Sequence, residues 1–407
     1  MRHDHTDWLI HFVRDRNPEQ DFPGQSEDEA RYFAGGELEF DASAFQVLCT
    51  IIRLGGLIPG HSFRNNRTTI YGGEPAVCVT EMPLYAFASY VKQAAATGRV
   101  SAYGIAFLKR EFYEAGGRPA IYGLSTNKVT YEVNTWIRRI LSPTILPQAE
   151  QYRYVAYSPS GARWIDWSHE REWRWKVTDS EREYIWCEAG DGTFGRTPGL
   201  PLFRGKAEGA CFSRVCIIVW NNQEAAEVQK LLTGLYLAGS NNYDTHFEKS
   251  VIGNSSIIVL EDVINAVESG QNLDAQTIEG LEEADLVRPI LLKDATPEQA
   301  KRVKSALKAA AQAGAQAAKG HICAHPQDIG GCGSAAAVTY DITNELVQYM
   351  LKEGLATGPY DGRVHIEVHG EWPPRQERAY YEAIYLEIAE CLSQHLGIQV
   401  RLYSWDD

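Results

Sequence analysis

No run of about 18 or more uncharged apolar residues occurs, so no segment has the length and composition of a helix that spans a bilayer. No Cys-x-x-Cys pair occurs either. The eight cysteines (Cys49, Cys78, Cys187, Cys211, Cys216, Cys323, Cys332 and Cys391) are dispersed, several of them inside apolar runs where a free thiol behaves as a small hydrophobe. Together with an N-terminus, Met1-Arg2-His3-Asp4-His5, that lacks a signal-peptide pattern, this gives the expectation of a reduced, cytoplasmic protein. Positive charge is scarce. Lys and Arg number 39 against 53 Asp and Glu, for a net charge of −14 and a pI near 5.3. That balance excludes bulk binding of nucleic acid, which takes clustered cations. Arg64, Arg67, Lys92, Lys109, Arg110 and Arg118 leave material for a local basic groove in the N-terminal part. No internal repeat is present.

What is present fits two or three globular domains in 407 residues. Trp8–Val13 reads as a strand. Ala44–Leu54 has helical apolar spacing and a Gly55-Gly56 stop. Further strands are expected over 76–80, 102–107, 120–122, 171–177, 215–220 and 256–260, with helices over 84–92 and 222–232, the latter stopping before Gly234. The polar stretch 14–41 reads as loop. Thr296-Pro297-Glu298-Gln299 carries an N-cap, a proline at N1 and a capping glutamine, and opens an Ala-rich helix expected to end at Gly320. From residue 336 strand and helix alternate: strand 338–340, helix 344–353, strand 364–368, helix 376–396, strand 400–403. The expected class is α+β, with a mixed or antiparallel sheet in an N-terminal domain over 1–261. An acidic linker and the Ala-rich helix fill 262–320, and a small α/β module occupies 321–407, where it senses a trigger or holds a partner.

Ionisable residues sit on or beside the apolar runs. In a strand over 171–177, residues two apart share a face, which puts Glu170, Glu172 and Arg174 on one side, with Trp173 and Trp175 on the other. Paired carboxylates raise one another's pKa and an arginine lowers it, a combination suited to a carboxylate that meets a substrate hydroxyl. His11 lies in step with Leu9 and Val13, the spacing of a core histidine as well as of a functional one. Glu81 closes the 76–80 strand and can serve as the acid at a helix N-terminus. Arg64, Arg67 and Arg118, in polar and Gly-rich surroundings, are candidates to grip a diphosphate.

Four blocks in order carry a resemblance. They are His11-Phe12 with Asn17-Pro18-Glu19 and the helix ending at Gly55; Tyr71-Gly72-Gly73 through Leu84; Tyr103-Gly104-Ile105-Ala106-Phe107 with Gly116-Gly117-Arg118-Pro119; and Ile165 through Arg174. Over residues 8–220 the chain resembles the AbiGi-like abortive phage resistance family. More distantly, an early strand with His-Phe, a helix ending in glycine and a late strand with glutamate resemble the ADP-ribosyltransferase fold, including DNA-modifying toxins of the DarT kind. Phe12-Val13 stands in place of that fold's usual His-Gly-Thr continuation. The resemblance implies a phage-defence protein, of toxin–antitoxin type, whose N-terminal domain is a transferase with NAD as substrate. His11 would hold the NAD ribose, and Glu170 or Glu172 would stabilise the oxocarbenium. The motif places no arginine; Arg64, Arg67 and Arg118 are the chain's own candidates for the phosphates, and Tyr71 or Trp173 for stacking on the nicotinamide. The implied partners are NAD, a nucleic acid or protein acceptor, and an operon-encoded protein, with no membrane and no resident metal. Two alternatives stand beside this: a non-enzymatic binding or antitoxin-type module, and a Mg²⁺-dependent nuclease using Glu81, Glu170 and Glu172. In the C-terminal module His321, Cys323, His325 and Cys332 are metal-type residues at a spacing that matches no common zinc motif. His365, Glu367 and His369 share one face of a strand whose Val/Ile face is expected to be buried.

Overall fold

A computed structural model describes residues 6–17, 21, 41–61, 63–64, 67–82, 84, 102–125, 131–133, 138–157, 166–188, 193–205, 212–243, 245–270, 278–327, 330–360 and 362–406. Most of the loop expected over 14–41 and most of the helix expected over 84–92 lie outside these residues, as do Lys92 and Cys211. The chain divides into two compact units, 1–228 with 243–290, and 229–242 with 291–407.

The first unit is built on an eight-stranded sheet. In chain order its main elements are β1 (Trp8–Val13), α1 (Ala44–Leu54), β2 (Val77–Thr80), β3 (Tyr103–Leu108), α2 (Lys109–Glu114), β4 (Arg118–Pro119), β5 (Glu172–Trp175), β6 (Val215–Val219), α3 (Asn222–Ala238), β7 (Ser256–Val259), α4 (Leu260–Glu268), α5 (Ile278–Glu283) and β8 (Val287–Pro289). The strand order is β8-β7-β6-β3-β1-β2-β5-β4. Only β6 and β7 run parallel; the other neighbours are antiparallel. The sheet is therefore mixed, and the class is α+β. The apolar stretch Val215–Val219, buried at every position, sits between β3 and β7 as a continuous hydrophobic run should.

Side-chain alternation gives the sheet two covered faces. On one, Trp8, Ile10, Ala106, Cys216 and Ile218 pack with Ile258 and with Val263 and Leu281 of α4 and α5. On the other lie Leu9, Ile105, Phe107 and Ile217, all inaccessible, and α1 rests against β1 and β3. Phe107 stacks on Phe112 of α2 at 5.2 Å. The ends of α1 follow from its residues. Ser43 and Gln46 form a reciprocal capping box, and Gly55 takes a left-handed φ of 70° that closes the helix.

The second unit holds α6 (Pro297–Ala324), β9 (Gly333–Thr339), α7 (Glu345–Lys352), β10 (Ala356–Tyr360), β11 (Arg363–Ile366), α8 (Arg378–Leu396) and β12 (Arg401–Asp406). After α6 the order is β-α-β-β-α-β, and the antiparallel sheet runs β10-β11-β9-β12. That is the split, ferredoxin-like topology. Its core gathers Val364 and Ile366 from the sheet, Tyr380, Ile384, Ile388 and Leu392 from α8, and Val303, Ala306 and Ala310 from α6. The Val/Ile face of β11 is the buried one, as its alternation predicts.

Four expectations are corrected. Residues 262–290 are not a linker: beneath their acidic surface Val263, Ala266, Ile278 and Leu281 are buried, and the segment carries two helices and an edge strand of the first unit. The Ala-rich helix does not stop at Gly320. It packs along α8, with the Thr296–Gln299 capping box in place, and runs past Gly320 to Ala324. Gly234 lies inside α3, not after it: a Cβ there would come within 2.7 Å of Pro359, so glycine serves close packing and the stop is Gly239. The first strand of the second unit starts at Gly333, five residues before the expected 338. No helix among the described residues is long and apolar enough to cross a membrane.

The α6–α8 contact has a sharp steric point. A Cβ on Gly314 would lie 2.9 Å from Ile388 and 3.2 Å from Ile384, whereas Gly320 faces open space. Gly314→Val is expected to cost about 1–3 kcal/mol by overpacking. Gly320→Ala should add up to about 1 kcal/mol through helix propensity. Urea unfolding of the two variants measures both.

Candidate functional site

The sheet register fixes which functional side chains can meet. Ile10 of β1 pairs with Thr80 of β2, and Thr80 pairs with Glu172 of β5. Directly paired residues project from the same face. Ile10, Thr80 and Glu172 therefore form one row, and His11, the next residue along β1, projects from the opposite face with its partner Ile105. The expected convergence of His11 and Glu172 is not formed.

On the Glu172 face the arrangement is closed. Arg174, 4% exposed, sends Nε and Nη2 to the two carboxylate oxygens of Glu172 at 2.8 and 3.1 Å. Its Nη1 donates to the carbonyls of Tyr152 and Tyr154 at 2.7 and 3.1 Å. The Cys78 thiol lies against the same carboxylate; burial first, and then Glu172, push its pKa up. Tyr122 completes the surround: its hydroxyl oxygen accepts the Glu172 backbone N–H at 2.5 Å. Burial raises that phenol to about 12, with the charge of Glu172 adding to the rise.

Glu170 does not stand beside Glu172. Residues 168–170 form a 3₁₀ turn, and Arg171 adopts a left-handed φ of 46°, which breaks the strand before it reaches residue 170. The Glu170 carbonyl takes the hydroxyl of Thr80 instead. The expected Glu172–Arg174 face and the placement of Trp173 on the other side hold; the extension to Glu170 does not.

The opposite face gathers a different set. Glu81 continues the Val77–Val79 alternation beyond β2, and its Oε1 accepts from Lys109 Nζ at 2.9 Å. Its Oε2 accepts from Trp173 Nε1 at 3.1 Å. Lys109 also donates to the Thr6 carbonyl at 2.7 Å. The side chains of Glu81 and Lys109 retain 18% and 19% of their exposure. Trp173 is paired with Val79, adjoining β1 at the level of His11. His11 Nδ1 lies 2.9 Å from the Cys78 carbonyl. A carbonyl only accepts, so Nδ1 carries the proton and Nε2 is the acceptor. Burial lowers the His11 pKa, keeping the ring neutral. A neutral imidazole and a doubly held carboxylate thus project from one face of three adjacent strands.

The remaining candidates lie elsewhere. Tyr71 is 5% exposed, with the Arg139 guanidinium over its ring at 4.5 Å and Tyr154 edge-on at 4.9 Å, so it has no open face to stack on a ligand. Arg118 curls onto the carbonyls of Tyr113 and Gly117 at 2.8 and 2.7 Å and over the Tyr113 ring. Arg67 is exposed on a hairpin of Phe63–Arg64 with Arg67–Thr68, and the Arg64 side chain lies outside the described residues. The three carboxylates of the nuclease alternative do not converge, because Glu81 and Glu172 face opposite ways. In the second unit His321 stands 3.5 Å from the buried Glu377, and Cys323 and Cys332 are exposed. Among the described residues no group of three or more His, Cys, Asp or Glu side chains is placed to hold a metal. Lys109 is the partner that sequence reasoning left only as general basic material. Its signal was parity: it follows Tyr103, Ile105 and Phe107 in step. No family model, curated protein or solved structure matches the chain.

Removing Arg174 strands a buried carboxylate and two carbonyls. Arg174→Met is expected to cost about 3–5 kcal/mol, read by urea unfolding. His61 gives a pH signature. It has no hydrogen-bond partner for Nδ1 among the described residues, and burial, then Arg138, lower its pKa to about 4. Unfolding lets His61 and His11 protonate near the ordinary value of about 6.5. The unfolded state thus binds more protons below that pH, and stability falls from there down to about 4. Thermal melts across this range should show the loss, and His61→Gln should flatten it.

Proposed function

We propose that the first unit is the catalytic part of a phage-defence transferase that cleaves NAD at the bond between nicotinamide and ribose, with Glu81, not Glu172, as the acting carboxylate. The observation that carries this reading is the placement of Glu81, fixed by Lys109 and Trp173, on the sheet face that also bears the neutral His11. A carboxylate held in this way is preorganised to stabilise positive charge without rearranging as the charge develops. In the proposed step the glycosidic C–N bond breaks and its electron pair leaves with nicotinamide. The ribose carbon becomes oxocarbenium-like, and water or an acceptor nucleophile then adds there and loses a proton. His11 Nε2, as acceptor, suits a ribose hydroxyl. The resemblance of residues 8–220 to a defence family supplies the biological setting.

The binding-module alternative draws on one specific observation. Glu172, the carboxylate that the sequence resemblance favours, is saturated by Arg174 and serves structure. One set of assays separates the two readings. Under the transferase reading the purified protein releases nicotinamide from NAD, and Glu81→Gln lowers the rate about 10²–10³-fold, the usual cost of a lost electrostatic stabiliser. Glu172→Gln should chiefly lower the melting temperature. Full activity in Glu81→Gln, or no nicotinamide release by the intact chain together with tight binding to a neighbouring gene product, overturns the transferase reading in favour of the binding module.

A further inference from the structure

The helices of the second unit cover one face of its sheet, and the side chains of the other face form a line of rings. Val364 and Ile366 turn toward the helices, so Arg363 and His365 turn away from them. The register carries that face across the sheet: Tyr360 pairs with Arg363, Val338 pairs with both His365 and Arg401, and Ala336 pairs with Tyr403. Tyr360 meets His365 at 5.7 Å between ring centres, His365 meets Tyr403 at 6.0 Å, and Tyr403 stacks with Trp405 at 5.7 Å and 30°. The Arg363 guanidinium lies 4.0 Å over the Tyr403 ring. The line runs from one edge strand to the other above small residues of the central strand. Tyr360 and Trp405 are 50% and 37% exposed.

We propose that this face binds single-stranded nucleic acid by stacking unpaired bases on Tyr360, His365 and Trp405, with the Tyr403 ring seating Trp405 and Arg363, and with Arg363 and Arg401 meeting the phosphates. A four-stranded sheet that displays aromatic rings is a platform on which splayed bases stack. The exposed surface of the line is mainly aromatic and cationic, with one carboxylate beside His365, that of Glu367, which accepts from the Thr357 hydroxyl at 3.1 Å. Val338, the aliphatic residue beneath it, is 1% exposed, so there is no aliphatic patch of the kind an apolar protein partner would cover. A duplex keeps its bases inside, and two arginines are too few to hold it by phosphate alone. The acidic balance of the whole chain fits the same conclusion: the recognition is stacking with little electrostatic help. The inference stands apart from the NAD reading of the first unit.

Fluorescence anisotropy with the full chain and a labelled ten-nucleotide oligo(dT), repeated with oligo(U), tests this. Saturable binding is expected, with a log–log salt slope no steeper than about −1.5, the value two phosphate contacts allow on a single strand. A duplex of the same length should not compete. Tyr403→Ala or Trp405→Ala should weaken binding about tenfold or more, and Arg401→Glu should weaken it and flatten the salt slope. Tyr403→Leu retains bulk at that site and should show the same loss, which separates lost stacking from lost folding; circular dichroism melts accompany each variant. The proposal is overturned by no anisotropy change up to about 100 µM protein, the weak end of nonspecific binding. Wild-type affinity in both Tyr403→Leu and Trp405→Ala, equal competition by duplex, or capture of a protein on this face without oligonucleotide binding overturns it as well.

Discussion

The first unit depends on one guanidinium. Arg174 is almost wholly removed from water, and every nitrogen that can donate has an acceptor: two carboxylate oxygens of Glu172 and the carbonyls of Tyr152 and Tyr154. A charge in that position is tolerable only because its countercharge and its hydrogen bonds are complete. The bidentate fork matches carboxylate geometry in a way a lysine ammonium could not. Through it β5, the neighbour of the edge strand β4, is tied to the 3₁₀ segment 148–153 and to the pair of short strands Tyr154–Val155 and Ile121–Tyr122. The same grip occupies both carboxylate oxygens of Glu172, the acid that the strand pattern singles out.

With the Glu172 carboxylate saturated, the other candidate groups gather on the opposite side of the sheet. Parity does the sorting. Residues 77, 79 and 81 of one strand, 173 of its neighbour and 109 beyond β3 fall on the same side, and so does residue 11. Glu81 lies just past the end of β2, where the ladder has finished and its side chain keeps contact with solvent. Its two donors come from distant stretches of chain, 28 and 92 residues away. The sheet brings these groups together.

Much of this was legible before any coordinates. Local signals delivered the elements: the run Trp8–Val13, the box at Ser43 and Gln46 with its glycine stop, the box at Thr296 and Gln299, and the strand–helix alternation of the last 70 residues or so. Pairwise parity within one strand was also readable, and Glu172 with Arg174 opposite Trp173 followed from it. Parity between strands was not. Whether residue 11 shares a face with residue 172 depends on Ile10 meeting Thr80 and Thr80 meeting Glu172, and a slip of one residue in either pairing reverses the answer. The left-handed Arg171 has no glycine or asparagine to announce it. Ala335, Ala336 and Ala337 read poorly as strand because alanine favours it little; sheet packing overrides the propensity. The acidic stretch 262–290 hid its buried residues among charges that belong to the outer faces of short helices.

The path of the chain through α3 has a consequence of its own. The helix begins in the first unit, passes to the second at residue 229 and contributes Leu237 to the second core. The chain then returns to complete the first unit from residue 243 before leaving it again at 290. Neither half is a continuous stretch of gene. Recombination that exchanged everything after residue 290 would deliver a ferredoxin-like module short of a helix segment, and would leave the donor half with an orphaned apolar turn. A single crossover at residue 290 would therefore disturb the packing of both parts.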